Sequence, residues 1–88
     1  IGLFKRRVMY EPPKKIVIYS KPNCGYCISA KNMCESKGIE YEYLMLDEDY
    51  TFEKFQEEFP SARTFPQIIV DDRKVGGFHE LQQVIGGG

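Results

Sequence analysis

From residue 15 onward the chain switches between two rhythms of apolar positions. Residues 15–20 (KIVIYS) are a β-branched and aromatic run, which predicts a strand. Pro22 and Asn23 follow and read as a loop. Over residues 25–37, Cys27, Ala30, Met33 and Cys34 recur at spacings of three and four, the period of a helix with one buried face. Gly38 stands where glycine commonly ends such a helix. Residues 40–46 (EYEYLML) alternate and then turn apolar, predicting a second strand. The acidic side chains Asp47 and Asp49 can cap a helix whose apolar stripe is Phe52, Phe55 and Phe59, with Pro60 ending it. Residues 67–70 read as a short strand, and Asp71-Asp72 turns it into a hairpin with residues 73–75. Gly76-Gly77 breaks that strand, and a last helix carries Leu81, Val84 and Ile85 on one side. The order β-α-β-α-β-β-α predicts an α/β fold, a mixed sheet covered by helices on both faces.

Residues 1–13 do not share this patterning. Lys5-Arg6-Arg7 and the Pro12-Pro13 pair bracket a short mixed segment, and the two prolines supply no amide donors for a sheet. An N-terminal extension or linker over residues 1–13 is therefore expected ahead of a domain over residues 14–88, whose three closing glycines read as a frayed end. Eighty-eight residues leave room for one domain, and 42% apolar residues with six Phe and six Tyr suit a packed core better than a disordered chain. No apolar run approaches the roughly 18–20 residues that cross a bilayer, so no membrane association is expected.

The net charge of −1 gives no electrostatic case for nucleic acid. The charge is unevenly spread, however. Residues 1–37 hold eight basic and two acidic side chains, residues 38–88 four basic and eleven acidic. A basic rim around the N-terminal cysteines would draw in anionic thiols; two solvated faces would do nothing more than keep the protein soluble. Three cysteines is an odd count and a low density for a secreted disulfide scaffold, and fits an intracellular, cytoplasmic redox protein better.

Cys24 and Cys27 stand at a loop-to-helix junction, and that spacing has a specific chemical use. At Cys24 the free amides of the helix start point outward and the dipole is positive, so a thiolate is stabilised. The thiolate is the attacking species in disulfide exchange. Cys24 is thus expected to be the accessible nucleophile, with a pKa below the ~8.5 of a free cysteine. Cys27, one turn inside, is expected to be shielded and to resolve the mixed disulfide. Lys21 adds a cation three residues ahead of Cys24. Zinc is disfavoured: one C-x-x-C offers two of the four ligands a structural site needs. Cys34 lies about 10 Å further along the helix at 1.5 Å per residue, and the lone His79 does not complete a set. Cys34 reads as a small hydrophobe of the core.

Three segments together resemble the glutaredoxin family, of thioredoxin-like fold with a four-stranded sheet. Lys21-Pro22-Asn23-Cys24-Gly25-Tyr26-Cys27 resembles its active site, Thr64-Phe65-Pro66-Gln67-Ile68 its Thr-Val-Pro loop, and Val75-Gly76-Gly77-Phe78 its Gly-Gly turn. The likeness spans about residues 15–85 and is closest in build to small bacterial or bacteriophage members. It implies a dithiol oxidoreductase that reduces protein disulfides and glutathione mixed disulfides, with glutathione as reductant. Cys24 and Cys27 would be catalytic. Lys21, Tyr26, Arg63, Thr64, Phe65, Pro66, Gly77, Phe78 and His79 would bind glutathione. In that scheme Pro66 is cis, Phe65 offers its backbone, Lys21 and Arg63 face the glycine carboxylate, and residues from Gly77 onward receive the γ-glutamyl end at a helix N-terminus. Ribonucleotide reductase is an implied client, and a monomer the expected state. This sequence departs from the family pattern at Phe65 (usually Val), Gly25 (commonly Pro) and His79 (often Asp, Ser or Thr). Three rivals remain: a redoxin reduced by thioredoxin reductase, a carrier in which the Cys24 thiolates and glutathione bridge a [2Fe–2S] cluster, and, compatibly with the first reading, a redox domain of a longer polypeptide with residues 1–13 as linker.

Overall fold

The computed structural model describes residues 15–86; the segment expected as an extension, residues 1–13, lies outside the described residues. The elements run β1 (Ile16–Ser20), α1 (Gly25–Ser36), β2 (Tyr41–Met45), α2 (Phe52–Glu58), β3 (Gln67–Val70), β4 (Arg73–Gly76) and α3 (Phe78–Leu81), the last continuing into a wider π-type turn, Gln82–Gly86. This is the expected β-α-β-α-β-β-α order. The four strands lie in the sequence β2-β1-β3-β4. β1 pairs parallel with β2 and antiparallel with β3, and β3 pairs antiparallel with β4, so the sheet is mixed.

Alternation along β1 decides what each face of the sheet covers. Ile16 and Ile18 are fully buried on one face, among Ala30 and Cys34 of α1, Ile68 and Val70 of β3, Leu81 of α3 and Ile85 just beyond it. Tyr19 points the other way, as period-two pleating requires, and packs on Phe55 and Phe59 of the α2 segment. Helices therefore cover both faces: α1 and α3 one, α2 the other.

Local chemistry fixes the element ends. After α1, Gly38 takes φ +69° and donates to Glu35 O, while Ile39 donates to Cys34 O at 3.0 Å. That paired closure is the Schellman arrangement in which glycine avoids the Cβ penalty. Asp71 (φ 49°) and Asp72 (φ 70°) both occupy the left-handed region, which matches a two-residue hairpin turn to the strand twist.

Two expectations about α2 are corrected. Its cap is Thr51, whose Oγ1 accepts from Lys54 N–H at 3.2 Å, not the acidic residues before it. Asp49 is occupied elsewhere: its Oδ2 accepts from Met45 N–H at 2.8 Å and closes the turn after β2. Phe52 is not part of the buried stripe. It is half exposed, while Phe55 and Phe59 are buried. The last helix also differs, since only four residues are α-helical before the chain widens into the π-type turn.

Candidate active site

The redox pair is placed by the end of β1. Ser20, fully buried, donates its hydroxyl to Leu44 O, and its own carbonyl accepts from Tyr50 O–H at 2.6 Å. Those bonds fix where the strand stops. The chain then turns through Asn23 at φ 60° and enters α1 with Cys24 as the N-cap. In that position Cys24 Sγ accepts from Cys27 N–H at 3.2 Å. The bond satisfies one of the amides that a helix start leaves free, and it places the sulfur at the positive end of a twelve-residue helix. The first turn of α1 has no acidic side chain to oppose a thiolate there.

Cys24 and Cys27 are joined as a disulfide with Cα atoms 5.3 Å apart. Cys27 is completely buried, and Cys24 is 8% exposed. The order of access is as expected, but Cys24 is more covered than an open nucleophile when oxidised. Cys34 is buried and unpaired, and burial pushes its thiol up to about 11, with the Glu35 charge adding to the effect. It is a core residue.

Beside the pair runs a groove of about 840 Å³. Its walls bring together eight of the nine expected binding residues: Tyr26, residues 63–66, Gly77, Phe78 and His79. Lys21 does not line it. Its ammonium instead sits 5.7 Å from the centre of the Phe65 ring, at the groove's edge. The Phe65-Pro66 bond is cis, and Pro66 is fully buried. The bulk of Phe65 is accommodated outward from the loop, because its ring stacks on Phe55 at 4.6 Å and 18°. Tyr26 is 59% exposed and stacks on Phe78 at 5.9 Å, with His79 at 5.9 Å on a tilted plane, so the three rings form one wall.

Nine lining residues lie outside the expected binding set, and three of them carry charge: Glu58, Lys74 and Glu80. Glu80 Oε1 accepts from Gly77 N–H at 2.9 Å, and hydrogen bonds from its own and Gly77's amides hold its carboxyl below the usual range. The spacing from N-cap to third helical residue, Gly77 to Glu80, is the signal that would have found it. Lys74 lies over the Phe59 ring, donates to Glu58 O and pairs with its carboxylate at 3.8 Å. No sequence pattern marks that pair. Among the described residues, no three His, Cys, Asp or Glu side chains gather as a metal site.

The sequence profile described as Glutaredoxin matches residues 16–75, from β1 through the hairpin. The chain is 32% identical over 66 residues to glutaredoxin 3 of Escherichia coli K12, covering 75% of this chain and 80% of that one. It is 27% identical over 74 residues to the hybrid peroxiredoxin hyPrx5 of Haemophilus influenzae; that match takes in 84% of this chain but only 30% of the relative's length. Among solved structures, glutaredoxin 1 of Francisella tularensis superposes with a TM-score of 0.66 at 33% identity, over 77% of this chain and 87% of that one. With Cys24 capping α1, and Tyr26, the cis-proline loop and the Gly-Gly turn around one groove beside it, the chain belongs to the glutaredoxin family of thiol–disulfide oxidoreductases.

Proposed function

We propose that the chain reduces disulfides with glutathione as electron donor, and that Cys24 is the attacking sulfur. The observation that carries this reading is the Cys24 sulfur held on the Cys27 amide at the α1 start, beside a groove with cations at one end. A thiolate at Cys24 attacks the substrate disulfide. The substrate S–S bond breaks, a Cys24–substrate bond forms, and one substrate thiolate leaves and takes a proton. Cys27, deprotonated, then attacks Cys24 Sγ, which frees the second substrate thiol and leaves the Cys24–Cys27 disulfide. One glutathione thiolate reopens that bond, forming a mixed disulfide on Cys24 and releasing Cys27. A second attacks the mixed disulfide, and oxidised glutathione departs.

The groove's charges support a ligand with a carboxylate at one end. Lys21 and Arg63 have no carboxylate partner among the described residues, whereas Lys74 is paired with Glu58. Lys21 and Arg63 would take the glycine carboxylate, Phe65 would offer backbone N–H and C=O, and the Tyr26 wall would cover the peptide. The γ-glutamyl end would lie toward Gly77, Phe78 and His79.

A coupled assay with glutathione and glutathione reductase, against thioredoxin reductase in parallel, tests the donor. Turnover with glutathione alone is expected. Turnover only with thioredoxin reductase would overturn the reading, and a brown glutathione-dependent chromophore after anaerobic purification would point to a cluster carrier instead. The client is proposed as a protein disulfide in the reducing cytoplasm. Ribonucleotide reductase is the family's implication. The similarity to a hybrid peroxiredoxin favours a second client, an oxidised peroxidase cysteine, distinguished by adding a peroxiredoxin and hydrogen peroxide to the same assay.

A further inference from the structure

We infer that Phe65 is a positioning residue: its ring holds the Lys21 ammonium at the groove's rim, so that Cys24 selects disulfides carrying negative charge beside the sulfur. The inference deepens the reading above and rests on Cys24 being the attacking thiol.

The argument begins with what fixes the ring. Phe65 stacks on Phe55 at 4.6 Å and 18°, nearly parallel. Phe55 is 3% exposed and is itself held by Tyr50 at 6.0 Å, Phe52 at 6.1 Å and Phe59 at 5.2 Å. The plane of Phe65 is thus set by a buried aromatic scaffold on α2, not by its own rotamer preference. That ring carries Lys21 Nζ 5.7 Å from its centre, within the reach at which a π face attracts an ammonium.

The kind of anchor matters. A lysine tied to a carboxylate has its charge neutralised. Lys21 has no such partner among the described residues, and its ammonium lies against the Phe65 ring. An ammonium resting on a π face keeps its full charge and leaves N–H donors free for an incoming anion. An exposed lysine with no anchor samples many rotamers and spreads its field. The valine that the family pattern places here would present the same backbone to a ligand but no π face. Phe65 therefore adds a function that the backbone contact does not supply: it anchors a cation that stands three residues ahead of the attacking cysteine.

The test compares two small disulfides on the fully reduced protein at low ionic strength: dianionic 5,5′-dithiobis(2-nitrobenzoate) and neutral 2,2′-dithiodipyridine. In each, Cys24 thiolate breaks the probe's S–S bond, forms a mixed disulfide and expels one arylthiolate; Cys27 then displaces the second. The ratio of the two rate constants reads the field at Cys24, and a general loss of stability affects both probes alike. Phe65→Val should lower the anionic-to-neutral ratio about two- to five-fold, the size of an exposed cation–π contact. Phe65→Tyr, which keeps a π face, should retain it. Lys21→Gln should lower it at least as far, and adding Phe65→Val to Lys21→Gln should lower it no further. An unchanged ratio in Phe65→Val, or an equal drop in the Lys21→Gln background, would overturn the positioning role. Mass mapping of the first modified cysteine separates the two levels of the argument: Cys27 labelled before Cys24 would overturn the assignment of the attacking thiol as well.

Discussion

The third cysteine gives a quantitative prediction about alkaline stability. Cys34 sits on the inner face of α1 against Ile16, Ile18 and Leu81, and its thiol is pushed from 9.0 to about 11, chiefly by burial and secondarily by the Glu35 charge. Below pH 9 the folded and the unfolded chain both carry the neutral thiol, and its full contribution to stability is present. Between about pH 9 and 11 the unfolded chain ionises while the folded one does not, so unfolding releases a proton and stability falls as pH rises. Above about 11 the folded thiol ionises too and the fall ends. At about 1.4 kcal/mol per tenfold, the displacement corresponds to about 2–3 kcal/mol lost across that window. Tyr41 and Tyr50, each pushed up to about 12, add their own losses above pH 10, so the Cys34 part must be read as a difference. The assay is urea unfolding followed by circular dichroism at pH 8, 9, 10 and 11, on proteins with and without Cys34→Ala. Both should carry Cys24→Ser and Cys27→Ser, which removes thiol–disulfide exchange at high pH. The Cys34 protein should lose about 2–3 kcal/mol more than the alanine variant between pH 8 and 11. Parallel curves would show that the folded environment does not hold Cys34 neutral. The same argument keeps Cys34 out of the redox chemistry near neutral pH.

Three further outcomes follow from particular contacts. Cys27→Ser should retain reduction of glutathione mixed disulfides, which needs only the attacking thiol, and lose reduction of protein disulfides that require resolution; parallel assays on a glutathionylated peptide and an insulin disulfide check it, and equal loss of both would refute the division of roles. Thr51→Ala removes the side-chain oxygen that receives Lys54 N–H and should cost about 1 kcal/mol in urea unfolding, whereas Thr51→Ser, which keeps that oxygen, should cost much less. Glu80 has its carboxyl held low by amide hydrogen bonds, so the stability it contributes is present above its unfolded pKa and lost as pH falls through the folded value; thermal midpoints between pH 6 and 3 should fall less steeply in Glu80→Gln than in the unmodified sequence.

The elements that were legible in the sequence are those marked by a strong period and a stop. β1 has its apolar run and Pro22; α1 has the 27-30-33-34 face and Gly38; the hairpin has two aspartates, whose side chains tolerate the left-handed region. The start of α2 lies later than the sequence pattern suggests, because Asp47, Asp49 and Thr51 are all competent caps. Asp49 is diverted to Met45 N–H, and Tyr50 is anchored on Ser20 O, so the helix begins at the next available oxygen. The first closes a local turn only four residues long, but the second spans thirty residues, and no short window of sequence contains it. The shortness of α3 was likewise invisible, since Leu81, Val84 and Ile85 share a side in both an α-helix and a wider turn. The site fared similarly. Its three motifs could be read in order, but the direction of the Phe65 ring could not, because stacking on Phe55 depends on how α2 meets the loop.

The groove's two ends present different problems to a ligand. At the Phe65 end, Lys21 and Arg63 are cations without carboxylate partners among the described residues, and an anion can approach without displacing a protein group. At the α3 end the helix is a single turn, and its Gly77 N–H is already bonded to Glu80 at 2.9 Å. A carboxylate arriving there must move Glu80 aside or use the amides of Phe78 and His79. A ligand ammonium has a different prospect, since the Glu80 carboxylate lines the same wall and is fixed in place. On the function proposed above, a zwitterionic peptide would lie with its carboxylate toward Phe65 and its amino group toward Glu80. That polarity would follow from which charges are already paired and which are not: Glu80 is held by Gly77 N–H and Lys74 by Glu58, while Lys21 and Arg63 have no carboxylate partner among the described residues.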